Sequence, residues 1–545
     1  MRTVKPAPRR VPVLIAGGGP VGLALALELG RAGIACTLVE KRDGSVTVPK
    51  MSGLSIRSME FNRRWGIADE VKRLGWPQGH PNDFVYCTSM GGRELARRKV
   101  PSYSASKLLF TPEPSAGCAQ IYYDPVLLQR VRSPPNVTLR HLTSLLSFTQ
   151  DEEGVSVTVL DQRSDKRETL HADYLIGCDG ADGVVAQQMG VAYEGLGTVS
   201  HSVNIFFRSR ELMQIHDMGW ARFFRFIDAG GSWGEIVGID GKETWRLSVF
   251  NAIPGYNADS YMRRLAGRDF AYEILSVMDW ERRERVVDRY RDRRVFLAGD
   301  SAHQTSPTGG LGLHTGLADA VDLGWKLRAV IEGWGGQGLL DSYQIERKPV
   351  ALKNLQASTE EFNIVVALPG DARIDEDSPA GEAARSRFVV AFESTGYGHS
   401  SLFTENLRLG YCYDPSPICV PDGSAPIALD NQRFVATARP GTRAPHAWLE
   451  DGRSTLDLFG DGFVLLRLGD EPLATEALIV AARDRGVPLT SYRITAPGIA
   501  ALYERALILV RPDGHVAWRG DALPVEPLRL IDRCRGALSP CSAPP

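Results

Sequence analysis

The alternation of apolar and polar positions near the N-terminus predicts a strand, a tight turn, a helix and a second strand. Residues 11–16 (VPVLIA) form an apolar run that is typical of a buried strand. Glycines follow, then a stretch rich in Leu and Ala up to Gly30, and then the apolar run 35–40 (ACTLVE), which ends in a carboxylate. This order predicts a β-α-β unit with parallel strands.

A second organised stretch lies at 294–326. The short apolar run 295–298 predicts a buried strand that is closed by Gly299 and Asp300, and a glycine-rich loop follows. From about Leu313 onwards, apolar residues recur at spacings of three and four, which predicts a helix. A carboxylate is therefore expected at the carboxyl end of a strand, and the loop is expected to lead into a helix N-terminus.

The middle of the chain has a different pattern of apolar and turn residues. Four strands separated by turn residues are predicted at 203–207, 223–227, 234–239 and 244–250. Their many aromatic residues favour a sheet that forms one wall of a site for a flat apolar ligand, although core packing is the better interpretation for any single aromatic residue. The candidates for contact with such a ligand are Asn204, Arg222, Tyr122 and Trp233.

The C-terminal third predicts a separate unit. Clusters of Pro, Gly, Ser and Asp at 371–430 indicate a connection, and the strand-helix-strand pattern at 437–519 indicates a small α/β domain. The tail at 531–545 is expected to be loose, with Cys534 and Cys541 inert. The whole pattern predicts an α/β protein in which a sheet is interleaved with a nucleotide-binding fold.

Composition and charge exclude several classes. The 545 residues are enough for roughly two to four domains. Because 63 Lys and Arg face 65 Asp and Glu, the formal net charge is −2, and nothing indicates nucleic acid or a charged membrane as partner. The eight cysteines show no paired or C-x-x-C spacing, which fits a reducing compartment and argues against a zinc module. No metal is expected.

The apolar N-terminal run resembles a secretion signal, but its composition favours folded structure. Glycines interrupt the run and Glu28 lies inside it. No other stretch is long and apolar enough to span a bilayer. A cytoplasmic location is therefore expected.

The first glycine-rich turn has the form G-x-G-x-x-G inside the predicted β-α-β unit. Gly17 permits the tight turn, Gly19 lets a pyrophosphate approach the backbone, and Gly22 allows the helix and strand to pack closely. Glu40, at the end of the second strand, is placed to accept hydrogen bonds from ribose hydroxyls. This combination predicts a dinucleotide site.

The second turn suits another part of such a ligand. Asp300 can bind a polyhydroxyl chain, and the backbone N–H groups of the glycine loop can face an electron-rich ring edge. On its own, this pattern is equally compatible with an ordinary strand-to-helix turn. The presence of the first motif favours the ligand site.

Taken together, the motifs resemble the flavin-dependent aromatic hydroxylases, which are single-component FAD monooxygenases related to p-hydroxybenzoate hydroxylase and phenol hydroxylase. The resemblance covers nearly the whole chain. Besides the two turns it rests on 179–180 (DG), 299–303 (GDSAH), 319–320 (DA), 323–327 (LGWKL), 340–347 (LDSYQIER), 439–445 (RPGTRAP) and 456–459 (LDLF).

This resemblance implies a Rossmann-like FAD-binding domain, an interleaved β-sheet substrate domain and a C-terminal thioredoxin-like α/β domain without redox cysteines. The expected boundaries are 1–190 and 286–370 for FAD binding, with a substrate-domain segment at about 77–118, then 191–285 for the substrate sheet, 371–430 for the connection, 431–530 for the thioredoxin-like domain and 531–545 for the tail.

The resemblance also implies roles for residues. Glu40 would hold the adenosine ribose, the three motif glycines the pyrophosphate, and Asp300 the ribityl chain. Pro307 would pack against the flavin ring. The remaining cofactor contacts implied are Lys50, Gln120, Asp179, Gly310, Gly312 and Leu313.

Three departures from the family pattern stand out. Lys50 occupies a position where an arginine is usual, and 181–186 (ADGVVA) lacks the usual serine and arginine, so the preference between NADPH and NADH stays open. His314 replaces the usual asparagine beside the N1–C2 edge of the flavin. His314 and Pro307 are therefore the candidate catalytic residues.

The implied reaction has two halves. NADPH or NADH reduces FAD, and O2 then adds to the reduced ring to give a peroxide that hydroxylates a phenolic aromatic substrate. A simple phenol, a catechol, a nitrophenol and a polycyclic phenol all fit, and a homodimer stays open as the assembly. The alternatives are a flavin oxidase or dehydrogenase without oxygen insertion and a catalytically silent FAD-binding protein.

Overall fold

Within the residues that it describes, the computed structural model has a mixed α/β fold with three sheets. It describes residues 10–105, 108–253, 255–396, 405–427, 434–470 and 473–538. Cys541 and part of the predicted connection lie outside these residues. None of the helices in the described ranges is long and apolar enough to cross a membrane.

The strands of the three sheets are numbered in chain order. They are β1 (Arg10–Ala16), β2 (Cys36–Glu40), β3 (Phe84–Cys87), β4 (Glu94–Arg98), β5 (Val137–His141), β6 (Thr143–Gln150), β7 (Val155–Asp161), β8 (Lys166–Gly177), β9 (Tyr193–Arg208), β10 (Phe223–Asp228), β11 (Gly231–Gly238), β12 (Thr244–Val249), β13 (Glu273–Val287), β14 (Arg291–Asp292), β15 (Val295–Leu297), β16 (His303–Gln304), β17 (Phe463–Leu468), β18 (Leu489–Ile494), β19 (Leu507–Val510) and β20 (Val516–Gly520).

The α-helices are numbered in the same way. They are α1 (Pro20–Arg31), α2 (Ile56–Arg64), α3 (Ala68–Arg73), α4 (Gln120–Val131), α5 (Val184–Met189), α6 (Ala258–Ala266), α7 (Leu311–Ile331), α8 (Asp341–Val366), α9 (Pro379–Ser394), α10 (Glu405–Leu409), α11 (Glu476–Asp484), α12 (Pro497–Tyr503) and α13 (Pro527–Cys534).

The first sheet has a parallel core in the order β15-β8-β1-β2-β5. The predicted strands at 11–16, 35–40 and 295–298 all belong to this core. In parallel strands the carboxyl ends meet at one edge, so the turns after β1, β2, β8 and β15 converge there. Helices α1 and α7 pack on each other beside the sheet, and the site is built at this edge.

The second sheet has the order β16-β13-β9-β12-β11-β10-β3-β4. The four strands predicted in the middle of the chain are β9 to β12, which confirms the sheet. One face is buried under α6, where Met262 and Leu265 pack against the sheet. The opposite face turns towards the first sheet, because Phe206 and Val237 pack against Val48 and Ala119.

The predicted connection at 371–430 contains more structure than expected. Helix α9 begins after Ser378, whose side chain accepts a hydrogen bond from the Gly381 N–H. Phe388 and Phe392 of this helix pack against Tyr86 of β3. The helix thus covers one end of the second sheet, a role that the Pro- and Gly-rich surroundings concealed.

The third sheet has the order β18-β17-β19-β20, with β17 and β18 parallel and the other pairs antiparallel. The expectation of a loose tail is wrong for the residues up to 538. Ile531 and Cys534 of α13 are buried against this sheet, and the N–H of Gly338 donates to the Gly536 carbonyl at 3.0 Å. Helix α13 is ordered because its apolar face is covered.

A buried charge cluster joins the C-terminal region, by which we mean residues 411–538, to α7 and α8. Arg511 donates to Glu346 (2.6 and 3.0 Å), Asp322 (3.0 Å) and Asp513 (2.7 Å), while Lys326 donates to Glu346 at 2.6 Å and to Asp322 at 2.8 Å. Three carboxylates thus face two cations. Burial raises the pKa of Asp322, while the neighbouring Lys326 and Arg511 act in the opposite direction.

A second contact docks the same region on α2. Arg443 donates to Glu60 through two nitrogens, and Arg57 donates to the same carboxylate at 2.8 Å. All three side chains are buried. Although burial opposes ionisation, Arg443 and Arg57 keep the pKa of Glu60 below its usual value.

We expect Arg511→Met to destabilise the docked C-terminal region by about 3–5 kcal/mol, because it leaves buried carboxylates without their cation. Denaturant unfolding followed by tryptophan fluorescence measures this, since Trp325 and Trp334 lie in the same interface. Arg453→Met is the matched control, because Arg453 pairs with Asp451 in solvent. Equal stability of the two variants would contradict the assigned role of the cluster.

Candidate functional site

The turn between β1 and α1 is shaped by its glycines. Gly17 has a φ of +108°, and a Cβ atom there would collide with the Cys178 carbonyl at the end of β8. A Cβ atom at Gly22 would collide with the Gly17 carbonyl, whereas Gly19 faces open space. The outer two glycines are therefore required by packing, and the middle one leaves room for a ligand to approach the start of α1.

Glu40 lies beside this turn at the end of β2. Its carboxylate accepts hydrogen bonds from the Gly18 N–H at 2.6 Å and from the Arg42 N–H at 2.8 Å. These backbone donors fix the carboxylate at the mouth of the turn. The side chain is half-buried, and its position suits an acceptor for ribose hydroxyls.

Asp300 follows β15 and is exposed. No hydrogen-bond partner for its carboxylate occurs among the residues that the structure describes, whereas its backbone carbonyl accepts from Gln304 at 3.2 Å. Gly299 has a φ of +62°, which turns the chain sharply at the strand end. An ionisable group held open at the carboxyl end of a parallel strand is well placed for a polyhydroxyl ligand.

A buried triad holds the Asp300 turn in place. Asp319 of α7 accepts hydrogen bonds from Arg347 (2.8 Å), from His303 (2.7 Å) and from the Gly299 N–H (3.1 Å). Burial opposes ionisation, but Arg347 and His303 keep the pKa of Asp319 below its usual value. The sequence showed these motif residues, but their spacing alone did not reveal that they form one cluster.

Asp179 follows β8, and its side chain is hydrogen-bonded within the protein. Its carboxylate accepts hydrogen bonds from the Val185 N–H and from the Ser301 hydroxyl, both at 3.0 Å. Burial raises its pKa. The carboxylate thus binds the start of α5 and supports the Asp300 turn, and the cofactor contact of Asp179 stays a prediction.

The loop before α7 contains two left-handed glycines. Gly309 and Gly310 have φ values of +82° and +65°, and Gly310 forms the N-cap of the helix. Pro307 is exposed at the start of this loop. Gly312 and Leu313 lie in the first turn of α7, so their backbone lies where the positive end of the helix dipole favours an electron-rich group.

His314, also in the first turn of α7, is hydrogen-bonded between its Nδ1 and the Ser58 hydroxyl at 2.9 Å. Burial, together with the nearby charge of Arg408, lowers its pKa to about 3. The imidazole is therefore neutral at physiological pH. The contact with α2 was not predicted, because Ser58 is distant in sequence.

Gln120, the first residue of α4, contacts the backbone of Lys50. The Gln120 side-chain oxygen accepts from the Lys50 N–H at 3.1 Å, and its amide nitrogen donates to Asp124 at 2.9 Å. Burial raises the pKa of Asp124 to about 7. The orientation of the Gln120 amide is thus set by groups on both sides.

The four candidates for substrate contact do not share one surface. Asn204 and Tyr122 lie at the face that turns towards the first sheet. Arg222 is buried and donates to the Tyr103 hydroxyl and the Ser52 carbonyl, so its guanidinium group holds two loops together. Trp233 is on the opposite face, stacked on Phe226 beneath α6.

The position of Trp233 corrects its assignment to the ligand wall. The period of two in strands indicates which residues share a face, but it does not reveal which face is covered by a helix. Glu235 and Arg246 do lie on the inward face, and the sequence analysis did not select them. The sequence feature that could have identified them is a charged residue at an inward position in each of two adjacent strands, β11 and β12.

The residues at the sheet edge fit FAD. An unpartnered carboxylate at Asp300, an open backbone at Gly19 and the start of α7 behind Gly310 offer complementary groups for a ribityl chain, a pyrophosphate and a flavin ring edge. Within the described residues, no group of three or more potential metal ligands occurs.

Comparison with known proteins agrees with this arrangement. A family model described as FAD binding domain matches residues 10–358, and one described as Aromatic-ring hydroxylase, C-terminal matches 437–538. A putative polyketide hydroxylase of Streptomyces halstedii is 33% identical over 556 residues, covering 95% of each protein.

Two solved structures are similar over nearly the full chain. RebC soaked with chromopyrrolic acid, with bound 7-carboxy-K252c, superimposes with a TM-score of 0.91 and 39% identity, covering 98% of this chain and 100% of that one. The flavin-dependent monooxygenase PieE in complex with FAD and substrate gives a TM-score of 0.87 and 30% identity at the same coverage. The chain therefore belongs to the FAD-dependent aromatic-ring hydroxylases and is an aromatic monooxygenase that binds FAD.

Proposed function

We propose that the protein uses NADPH or NADH and O2 to hydroxylate a polycyclic phenolic substrate. The observation that carries this proposal is the open Asp300 carboxylate beside the α7 N-terminus, across from a sheet face that bears both apolar and polar side chains. When bound, FAD supplies the redox chemistry that links the nicotinamide donor to O2. The chain supplies binding, orientation and exclusion of water.

Each cofactor role follows from a contact on the chain itself. Gly19 would admit the pyrophosphate, Glu40 would accept from ribose hydroxyls, and Asp300 would accept from the ribityl chain. The first turn of α7 would present backbone N–H groups to the N1–C2 edge of the ring, where negative charge accumulates on reduction. Pro307 would limit the space on one side of the ring.

The size of the substrate is proposed from two considerations. The inward face of the second sheet spans several strands and bears large apolar residues such as Phe206 and Phe223. One similar protein is named as a putative polyketide hydroxylase, and another was solved with bound 7-carboxy-K252c. A polycyclic phenol is therefore favoured as substrate over a simple phenol, a catechol or a nitrophenol. For the same reason, a biosynthetic role is favoured over a role in phenol degradation.

The order of strands and helices in the C-terminal region supports a thioredoxin-like fold there, with a Rossmann-like fold around β1 and α1. Residues 437–519 contain no cysteine, and Cys534 is buried, so its thiol pKa is raised. We propose that this region serves stability or assembly, with a homodimer as the first assembly to examine, and takes no part in electron transfer.

The reaction is tested by incubating the FAD-loaded protein with NADPH or NADH and a panel of phenol, catechol, 4-nitrophenol, 2-naphthol and 1,8-dihydroxyanthraquinone. We expect a polycyclic member to stimulate donor oxidation and to yield a product that carries oxygen from labelled O2. Donor oxidation with only hydrogen peroxide formed, for every compound, would favour an oxidase. No stimulation at all would favour a catalytically silent flavoprotein.

We expect Asp300→Ala to weaken FAD binding about 10- to 100-fold, because it removes an acceptor of charge-assisted hydrogen bonds. Fluorescence titration of apoprotein with FAD measures the change. Asp161→Ala is the control, since Asp161 is a half-buried carboxylate at the end of β7 and is not among the proposed cofactor residues. If Asp300→Ala binds FAD like the parent, Asp300 is not part of the site.

We expect His314→Asn to keep the parental flavin reduction potential, because asparagine can also donate a hydrogen bond. His314→Leu removes the donor, so it should lower the potential and slow anaerobic reduction by NADPH roughly fivefold. Ser58→Ala leaves the imidazole present without its partner and should fall between the two. Parental potential and rate in the leucine variant would show that His314 only fills space.

A further inference from the structure

A row of side chains crosses the inward face of the second sheet in register. Each member lies directly opposite the next on the neighbouring strand, and all point to the side that faces the first sheet. From β3 to β13 the row consists of Tyr86, Arg225, Glu235, Ser248, Asn204 and Met278. We refer to these six residues as the polar row.

The polar row consists of two hydrogen-bonded halves with a break between them. On one side, Arg225 donates to the Tyr86 hydroxyl at 3.0 Å and to Oε2 of Glu235 at 3.0 Å. On the other side, the Ser248 hydroxyl donates to the Asn204 side-chain oxygen at 2.8 Å. The break lies between Glu235 and Ser248, which are opposite each other on β11 and β12.

The free oxygen of Glu235 lies at this break. Both hydrogen bonds from Arg225 reach Oε2, and no partner for Oε1 occurs among the residues that the structure describes. The Glu235 side chain is 16% exposed, whereas that of Arg225 is 6% exposed. The pair thus presents one anchored carboxylate whose second oxygen remains available as an acceptor.

The neighbouring row shows that this face turns towards the flavin-binding part of the chain. Two residues further along the strands, or about 7 Å away, Arg246 donates to the Pro49 and Lys50 carbonyls at 2.7 and 2.9 Å. Ser276 donates to the Thr47 carbonyl at 2.8 Å. The polar row therefore lies one row away from the loop that carries Lys50, which is one of the proposed cofactor residues.

We propose that Glu235 accepts a hydrogen bond from a phenolic hydroxyl of the substrate and thereby determines specificity for free phenols over their ethers. The inference rests on the proposed function, because it needs an aromatic substrate beside the flavin. Arg225 fixes the carboxylate through Oε2, so Oε1 meets the hydroxyl without losing its own orientation. A carboxylate that accepts this hydrogen bond also draws the proton away from the phenol oxygen. The aromatic ring then becomes more electron-rich, which favours its hydroxylation.

A purely structural role of Glu235 predicts a different result. If Glu235 only neutralised the buried Arg225, the loss of its charge would affect stability, and the preference for phenols over ethers would stay unchanged. A buried polar acceptor, by contrast, discriminates strongly against a ligand that lacks the matching donor, because the acceptor is then left unpaired. The discrimination between a phenol and its methyl ether therefore separates the two roles.

The test uses the FAD-loaded protein with 2-naphthol and its methyl ether, 2-methoxynaphthalene, which has no hydroxyl donor. Dissociation constants are obtained from the change in flavin absorbance on titration. We expect the parent to bind 2-naphthol about 10- to 100-fold more tightly than the ether. In Glu235→Gln, Arg225 would hold the amide oxygen, so an N–H donor would replace the Oε1 acceptor, and the two compounds should bind within about threefold of each other. FAD affinity should be unchanged, since Glu235 is not among the cofactor residues.

Two further variants keep the result interpretable. Glu243→Gln is the matched control, because Glu243 pairs with Arg210 in the same region at 2.6 Å but lies in a loop outside the polar row. If Glu235→Gln fails to fold because Arg225 loses its charged partner, the double variant Arg225→Met and Glu235→Met removes both charges and the acceptor, and is expected to lose the discrimination as well.

The outcomes distinguish this inference from the proposed function. Parental discrimination in Glu235→Gln or in the double variant, or equal affinity of the parent for both compounds, including failure to bind either, overturns the role of Glu235. Discrimination that depends on Glu235, without any oxygen incorporated into a product, supports the recognition role and contradicts the proposed monooxygenation of phenols.

Discussion

The structure depends on the buried carboxylate of Asp319. This carboxylate receives Arg347 from α8, His303 from the strand after the Asp300 turn, and the N–H of Gly299 in the turn itself. Three separate parts of the chain thus converge on one anion at the middle of α7. Because a buried carboxylate that loses a partner is costly, separate displacement of the turn, of α7 or of α8 is unfavourable. The rigid placement of Asp300 follows from this constraint.

The local parts of the site could be predicted from the sequence. The turn at Gly17 and the strand end at Asp300 are visible because a positive φ or a close backbone approach requires glycine, and this requirement acts over a few residues. The βαβ unit and the four strands of the second sheet follow from hydrophobic periodicity in the same way. The resemblance to the aromatic hydroxylases then supplied the cofactor, which the family matches bear out.

The errors share a physical origin. Trp233 was assigned to the ligand wall although α6 covers it. Helix α13 was expected to be loose, and its apolar face packs on the third sheet. In each case the decisive partner is distant in the chain, so the periodicity of the segment alone contains no information about it. The polar row around Glu235 was missed for the same reason, because register across strands is a tertiary property.

Helix α7 links the site to the C-terminal region. Its first turn faces the proposed flavin edge, Asp319 lies in its middle, and Asp322, one turn further on, receives Arg511 of the C-terminal region at 3.0 Å. Arg347 adds a second link, since it donates both to Asp319 and to the hydroxyl of Tyr413 at 3.2 Å. Docking of the C-terminal region and positioning of the cofactor turn are therefore mechanically coupled through one helix. The buried charges of the C-terminal region thus help to hold the helix whose first turn lies at the proposed flavin edge.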